Sequence, residues 1–121
     1  MATQILPDEE MIADSDKLLT FTAYDENGAV LNLTGAKKLV WLLSPSGDTN
    51  KQILKKTMAG NGGISITFPL VGKFRVRLDD TDTIGLDGEY TQQILVTDSN
   101  NNTYRAGEGR FLIYPAIAEV T

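Results

Sequence analysis

The sequence predicts an all-β fold built as a two-layer sandwich. Three observations carry that expectation. Helical periodicity is scarce, apolar and polar residues alternate in several short runs, and turn signals recur roughly every 8 to 12 residues. With 121 residues the chain has room for one domain, and its 41% hydrophobic and 22% charged residues are those of an ordinary globular protein.

The elements follow in order. Leu19, Phe21 and Ala23 alternate with Leu18, Thr20, Thr22 and Tyr24, a half-buried strand. Asp25-Glu26-Asn27-Gly28 follows, where Asn-Gly is expected to supply the positive φ angles of a tight hairpin. The run Val30-Leu31-Asn32-Leu33 leads to Thr34-Gly35-Ala36, and residues 38–43 form an apolar strand carrying the single Trp41. Ser44-Pro45-Ser46-Gly47-Asp48 reads as a turn, because Pro fixes one φ and Gly frees another. Residues 51–58 place Ile53 and Leu54 among Lys51, Lys55 and Lys56, which suits an edge strand whose charge discourages pairing with other chains.

Beyond Gly60-Asn61-Gly62-Gly63, Ile64, Ile66 and Phe68 alternate with Ser65 and Thr67, the cleanest strand pattern in the chain. Phe74, Val76 and Leu78 alternate with Lys73, Arg75 and Arg77, whose basic groups are expected to face water. Residues 80–86 suggest a single helical turn, 89–97 a strand, 98–102 a polar hairpin and 110–114 the last strand. Residues 1–16 are acidic and weakly patterned, either an opening strand over residues 3–6 or a contact arm. The expected layout is therefore an arm at 1–16, the sandwich at 17–114 and a tail at 115–121.

Two details refine the expectation to an immunoglobulin-like β-sandwich of seven to eight short antiparallel strands. Asp87-Gly88-Glu89-Tyr90 precedes a late strand, where such folds anchor a corner with a tyrosine hydroxyl. Trp41 lies on the third strand, where they pack a tryptophan. Gln92 stands two residues after Tyr90, where a disulfide-bonded cysteine would sit. Because Tyr90, Ile94 and Val96 share its face, either Gln92 is buried with a hydrogen-bonded partner or the strand carries a bulge there.

The inventory removes much of catalytic chemistry. With no cysteine and no histidine, disulfides, thiolate or imidazole metal centres, cysteine nucleophiles and Ser-His-Asp triads are absent. A net charge of -5 disfavours nucleic acid or an anionic membrane as partner. The first residues show neither a basic n-region nor an apolar h-region, and no run approaches the length of a membrane span, so neither a signal peptide nor a transmembrane segment is expected.

The string Phe21-Thr22-Ala23-Tyr24-Asp25-Glu26-Asn27-Gly28, followed by Asn32-Leu33-Thr34-Gly35-Ala36 and a Trp-bearing strand, resembles a domain of tailed-bacteriophage structural proteins. Gly72-Lys73-Phe74-Arg75-Val76, Leu86-Asp87-Gly88-Glu89-Tyr90 and Val96-Thr97-Asp98 extend the likeness over residues 17–114. The family it resembles is the N-terminal domain of the upper baseplate protein and its immunoglobulin-like relatives in tails and fibres. That domain heads a much longer chain, whereas this sequence stops at Thr121. The resemblance implies a non-catalytic, multi-copy adaptor or accessory protein of the tail, baseplate, fibre base or capsid surface. It would be made in the host cytoplasm, carried in the virion, and bound to other virion proteins and to copies of itself, with no cofactor. A carbohydrate- or cell-surface-binding module is the alternative.

On that reading the interface residues are Asp8, Glu9 and Glu10 in the arm and Ile117 and Val120 in the tail, with Lys51, Lys55 and Lys56 as a polar rim. Tyr104 and Tyr114 flank the last hairpin and are the candidates for contact with a sugar or a protein. Asp79, Asp80 and Asp82, with Asp87 nearby, could offer oxygen ligands to calcium, but they lack the glycine and terminal glutamate of a calcium loop and read better as a solvated turn. The glycines at 60–63 precede a strand with no Lys-Ser or Lys-Thr, so they do not make a phosphate loop. Sixteen acidic residues supply carboxylates for glycoside hydrolysis, but nothing in their spacing sets two across a cleft.

Overall fold

A computed structural model of the chain describes residues 4–6, 8–13, 15–24, 27–48, 51–58 and 62–115. In chain order the strands are β1 (Gln4–Ile5), β2 (Glu9–Ile12), β3 (Lys17–Thr22), β4 (Lys38–Pro45), β5 (Leu54–Thr57), β6 (Ile64–Phe68), β7 (Lys73–Leu78), β8 (Gly88–Thr97) and β9 (Thr103–Tyr114). A 3₁₀ turn, Pro69–Val71, joins β6 to β7. The larger sheet runs β1-β9-β8-β4-β5, with β2 also on β9, and the smaller runs β3-β7-β6. Both opening strands pair parallel to the last strand, and every other ladder is antiparallel. The fold is an all-β, immunoglobulin-like sandwich, and the opening strands Gln4–Ile5 and Glu9–Ile12 belong to its larger sheet.

Alternation puts the apolar set of each strand between the sheets. On β3 these are Leu19 and Phe21, on β7 Phe74, Val76 and Leu78, and on β4 Leu39, Trp41 and Leu43, all buried in one cluster with Ile94, Phe111 and Ile113. Phe21 and Phe74 lie 5.6 Å apart across the small sheet, and Trp41 meets Phe111 edge-on at 5.9 Å across the large one. The corner tyrosine is in place: Tyr90 Oη donates to Asp87 O at 2.9 Å and accepts from Asp87 N–H at 3.1 Å.

Of the two readings left open for Gln92, burial with a partner holds: it is fully buried and accepts the Trp41 indole N–H at 3.0 Å, and the extra residue of the β8–β9 ladder is Ala106 on β9, opposite Ile94 and Leu95. Other expectations are corrected. Gly28 has positive φ (81°), but the bridge that closes the link after β3 joins Tyr24 to Val30, so it is no two-residue hairpin; residues 25 and 26 lie outside the described set. Residues 79–86 form two successive turns, closed by Asp82 N–H to Asp79 O and Leu86 N–H to Thr83 O, in place of a helical turn.

The last strand begins at Thr103, seven residues before the expected 110, and its two glycines serve packing. A Cβ on Gly107 would stand 2.8 Å from Leu6 Cδ2, and one on Gly109 2.8 Å from Leu6 Cβ. Leu6, buried there, donates its N–H to Glu108 O at 2.8 Å.

Candidate docking surface

The β6 alternation points Phe68 inward on paper, but the register slips between Ile66 and Phe68. The slip turns the ring outward, because one extra residue in a strand reverses the facing of everything after it. Phe68 is 62% exposed and Leu70 72%, with Val71 and Val30 also exposed. Val30 belongs to the same patch, since its Cγ1 would lie 3.2 Å from a Cβ on Gly72.

The turn that carries these side chains is pinned from behind. Leu33 donates its N–H to Pro69 O at 2.7 Å, and Ala23 donates to Gly72 O at 2.8 Å. Gly72 holds φ 69° and ψ 18°, and a Cβ there would sit 2.7 Å from both Ala23 O and Leu31 O. Only glycine fits that close approach. The segment thus presents apolar side chains from a fixed backbone, which lowers the ordering cost of binding. The sequence carried a signal for this patch: Phe68-Pro69-Leu70-Val71-Gly72 is an apolar run bounded by turn residues.

The acidic residues expected to reach outward have partners within the chain. Asp8 pairs with Arg110 at 3.1 Å, and Glu9 with Lys17 at 3.7 Å. Glu10 accepts the Tyr114 hydroxyl at 3.2 Å, and that hydrogen bond, reinforced by the carboxylate's charge, raises the phenol's pKa above its ordinary value. Lys56, expected on a polar rim, is instead largely covered and pairs with Asp82 at 2.7 Å. This bond ties the edge strand β5 to the turns after β7. Lys51 and Lys55 are exposed. Tyr104 lies on β9 by its backbone, and its side chain is outside the described set, as are Ile117 and Val120.

The aspartates after β7 are used locally. Asp79 pairs with Arg77 at 3.0 Å, which raises the guanidinium's pKa. Asp82 accepts Asp79 N–H at 2.7 Å besides holding Lys56, and Asp80 donates its N–H to Asp16 Oδ1 at 2.8 Å. No helix among the described residues is long and apolar enough to cross a membrane.

The parallel first-to-last strand pairing, the corner tyrosine and the tryptophan beneath the sheet define an immunoglobulin-like module. No protein-family model matches the chain, and no curated protein matches it at a significant level. Solved structures similar to it include a fibronectin(III)-like module of Clostridium thermocellum CbhA, at 11% identity and TM-score 0.45, covering 92% of this chain and 93% of that one. Murine CRIg is similar at 12% identity and TM-score 0.45, covering 89% and 91%.

Proposed function

We propose that this protein is a non-catalytic docking module, a structural adaptor of a tailed-phage or prophage virion that works by binding protein neighbours. The observation that carries the docking part is the apolar tip, with Phe68 and Leu70 mostly in water on a backbone pinned by Pro69 O and Gly72 O. A soluble domain that holds adjacent large apolar side chains outward on a fixed turn gains nothing for its own stability, and such patches mark interaction sites. The virion setting rests on the sequence resemblance over residues 17–114. The lack of histidine and cysteine supports the non-catalytic part, since general acid–base work near neutral pH would need a strongly shifted carboxylate or lysine.

The test is a Phe68→Asp, Leu70→Asp double variant, followed by particle incorporation and by mass in solution. Both residues are exposed, so the variant is expected to melt as the parent does while losing assembly into particles. Undiminished incorporation would remove the tip from the function, and turnover of a substrate by the purified protein would overturn the non-catalytic reading.

A further inference from the structure

The outward face of the larger sheet carries a trough that the apolar tip does not touch. It encloses about 340 Å³ and is lined by Val40 and Leu42 of β4, Leu95 of β8, and Lys38, Lys55 and Gln52 at its rim, with Thr97 and Thr103 at one end. The ladders order these residues: Lys55 lies beside Leu42, Leu95 beside Val40, and Thr97 beside both Lys38 and Thr103. An apolar floor thus runs between two lysines on opposite sides.

The charge at this trough is positive and uncompensated. Lys38 and Lys55, like Lys37, Lys51, Lys73 and Arg75, have no carboxylate partner among the described residues, and these two flank the apolar floor.

We infer that this trough binds an extended acidic segment of a partner protein, with an apolar residue over Val40, Leu42 and Leu95 and carboxylates at Lys38 and Lys55. The spacing specifies the segment. Lys38 and the Leu42 row are four residues apart on β4, about 13 Å at the rise of a strand. An extended peptide covers that distance between positions i and i+4, and its side chains at i, i+2 and i+4 share one face. The complementary motif is therefore acidic-x-apolar-x-acidic. The inference rests on the docking reading above and names a second contact for it.

Titrating the peptide acetyl-Thr-Glu-Thr-Leu-Thr-Glu-Thr-amide into the labelled protein tests it, with amide NMR as the readout and the Lys-for-Glu peptide alongside. The acidic peptide is expected to shift Val40, Leu42 and Leu95 saturably and to bind more weakly as salt rises. A Lys38→Glu, Lys55→Glu variant with the parent's melting curve is expected to bind about tenfold more weakly, about 1.4 kcal/mol. Equal binding of the basic peptide, shifts elsewhere on the surface, or saturable binding of an acidic oligosaccharide in place of the peptide would each overturn it. If the peptide fails while Phe68→Asp, Leu70→Asp still abolishes particle incorporation, the trough inference alone falls. If both fail, the docking reading falls with it.

Discussion

Trp41 donates its indole N–H to Gln92 Oε1 at 3.0 Å in the centre of the sandwich, both residues being fully buried. The glutamine stands where related folds place a cysteine, and it holds the tryptophan by a hydrogen bond in a chain that has no cysteine. Its Nε2 is left without a partner, so the pair is half satisfied.

That asymmetry predicts a double-mutant cycle. Trp41→Phe strands the Gln92 oxygen and opens space, with an expected cost of about 2–4 kcal/mol. Gln92→Leu strands the indole N–H but removes the unpaired amide, with an expected cost of about 1–2 kcal/mol. The double variant should be less destabilised than the sum by about 1 kcal/mol, read from urea unfolding midpoints. Simple additivity would show that the bond contributes no coupling.

The glycine pair under Leu6 makes a second prediction. Gly107→Ala and Gly109→Ala each drive a methyl to 2.8 Å from Leu6, and each should destabilise by about 1–3 kcal/mol. Combining Gly107→Ala with Leu6→Ala should recover part of that loss, since the obstructing side chain is gone. Thermal melts of the three variants decide it, and equal destabilisation with and without Leu6 would show that the contact is not the cause.

Lys56 and Asp82 join elements far apart in the chain at 2.7 Å, with 12% and 18% of their side chains exposed. Removing one partner leaves a largely covered charge, so Lys56→Met and Asp82→Ala should each cost about 1–3 kcal/mol. Lys51→Met, at an exposed site, should be within about 0.5 kcal/mol of the parent by the same denaturant assay.

Tyr114 gives the pH-dependent prediction. Its hydroxyl donates to Glu10, so the neutral phenol is favoured and its pKa is raised. With the folded pKa above the unfolded one, whatever stability the contact gives is present below the ordinary tyrosine pKa and is lost as pH rises through the raised value. In ultraviolet titration of tyrosinate, Glu10→Gln should move the Tyr114 ionisation back toward the ordinary range. An unchanged titration in that variant would break the assignment.

Legibility in the sequence followed the reach of each signal. The core of β3, β4 and β7 could be read from alternation, because burial of one sheet face imposes period two on the residues that form it. The corner at Tyr90 and the buried Trp41 could be read too, since their spacing from turns is local. The start of β9 could not, because Gly107 and Gly109 look like loop residues until Leu6 is known to lie against them. The facing of Phe68 could not, because a one-residue slip against β7 is a property of two strands together. The acidic residues looked like a free arm because Arg110, Lys17 and Tyr114 are either distant in sequence or on another strand.

By itself, then, the order of amino acids determined the class of architecture, the central apolar set and the exclusion of histidine- and cysteine-based chemistry. Tertiary structure alone decided which apolar residues were left in water, which charges were spent inside the chain, and which two lysines remained unpaired beside an apolar trough. The physical reason is the range of the forces involved. Backbone hydrogen bonding and alternating burial act between neighbours along a strand, whereas exposure and charge compensation depend on what the folded chain brings across from elsewhere.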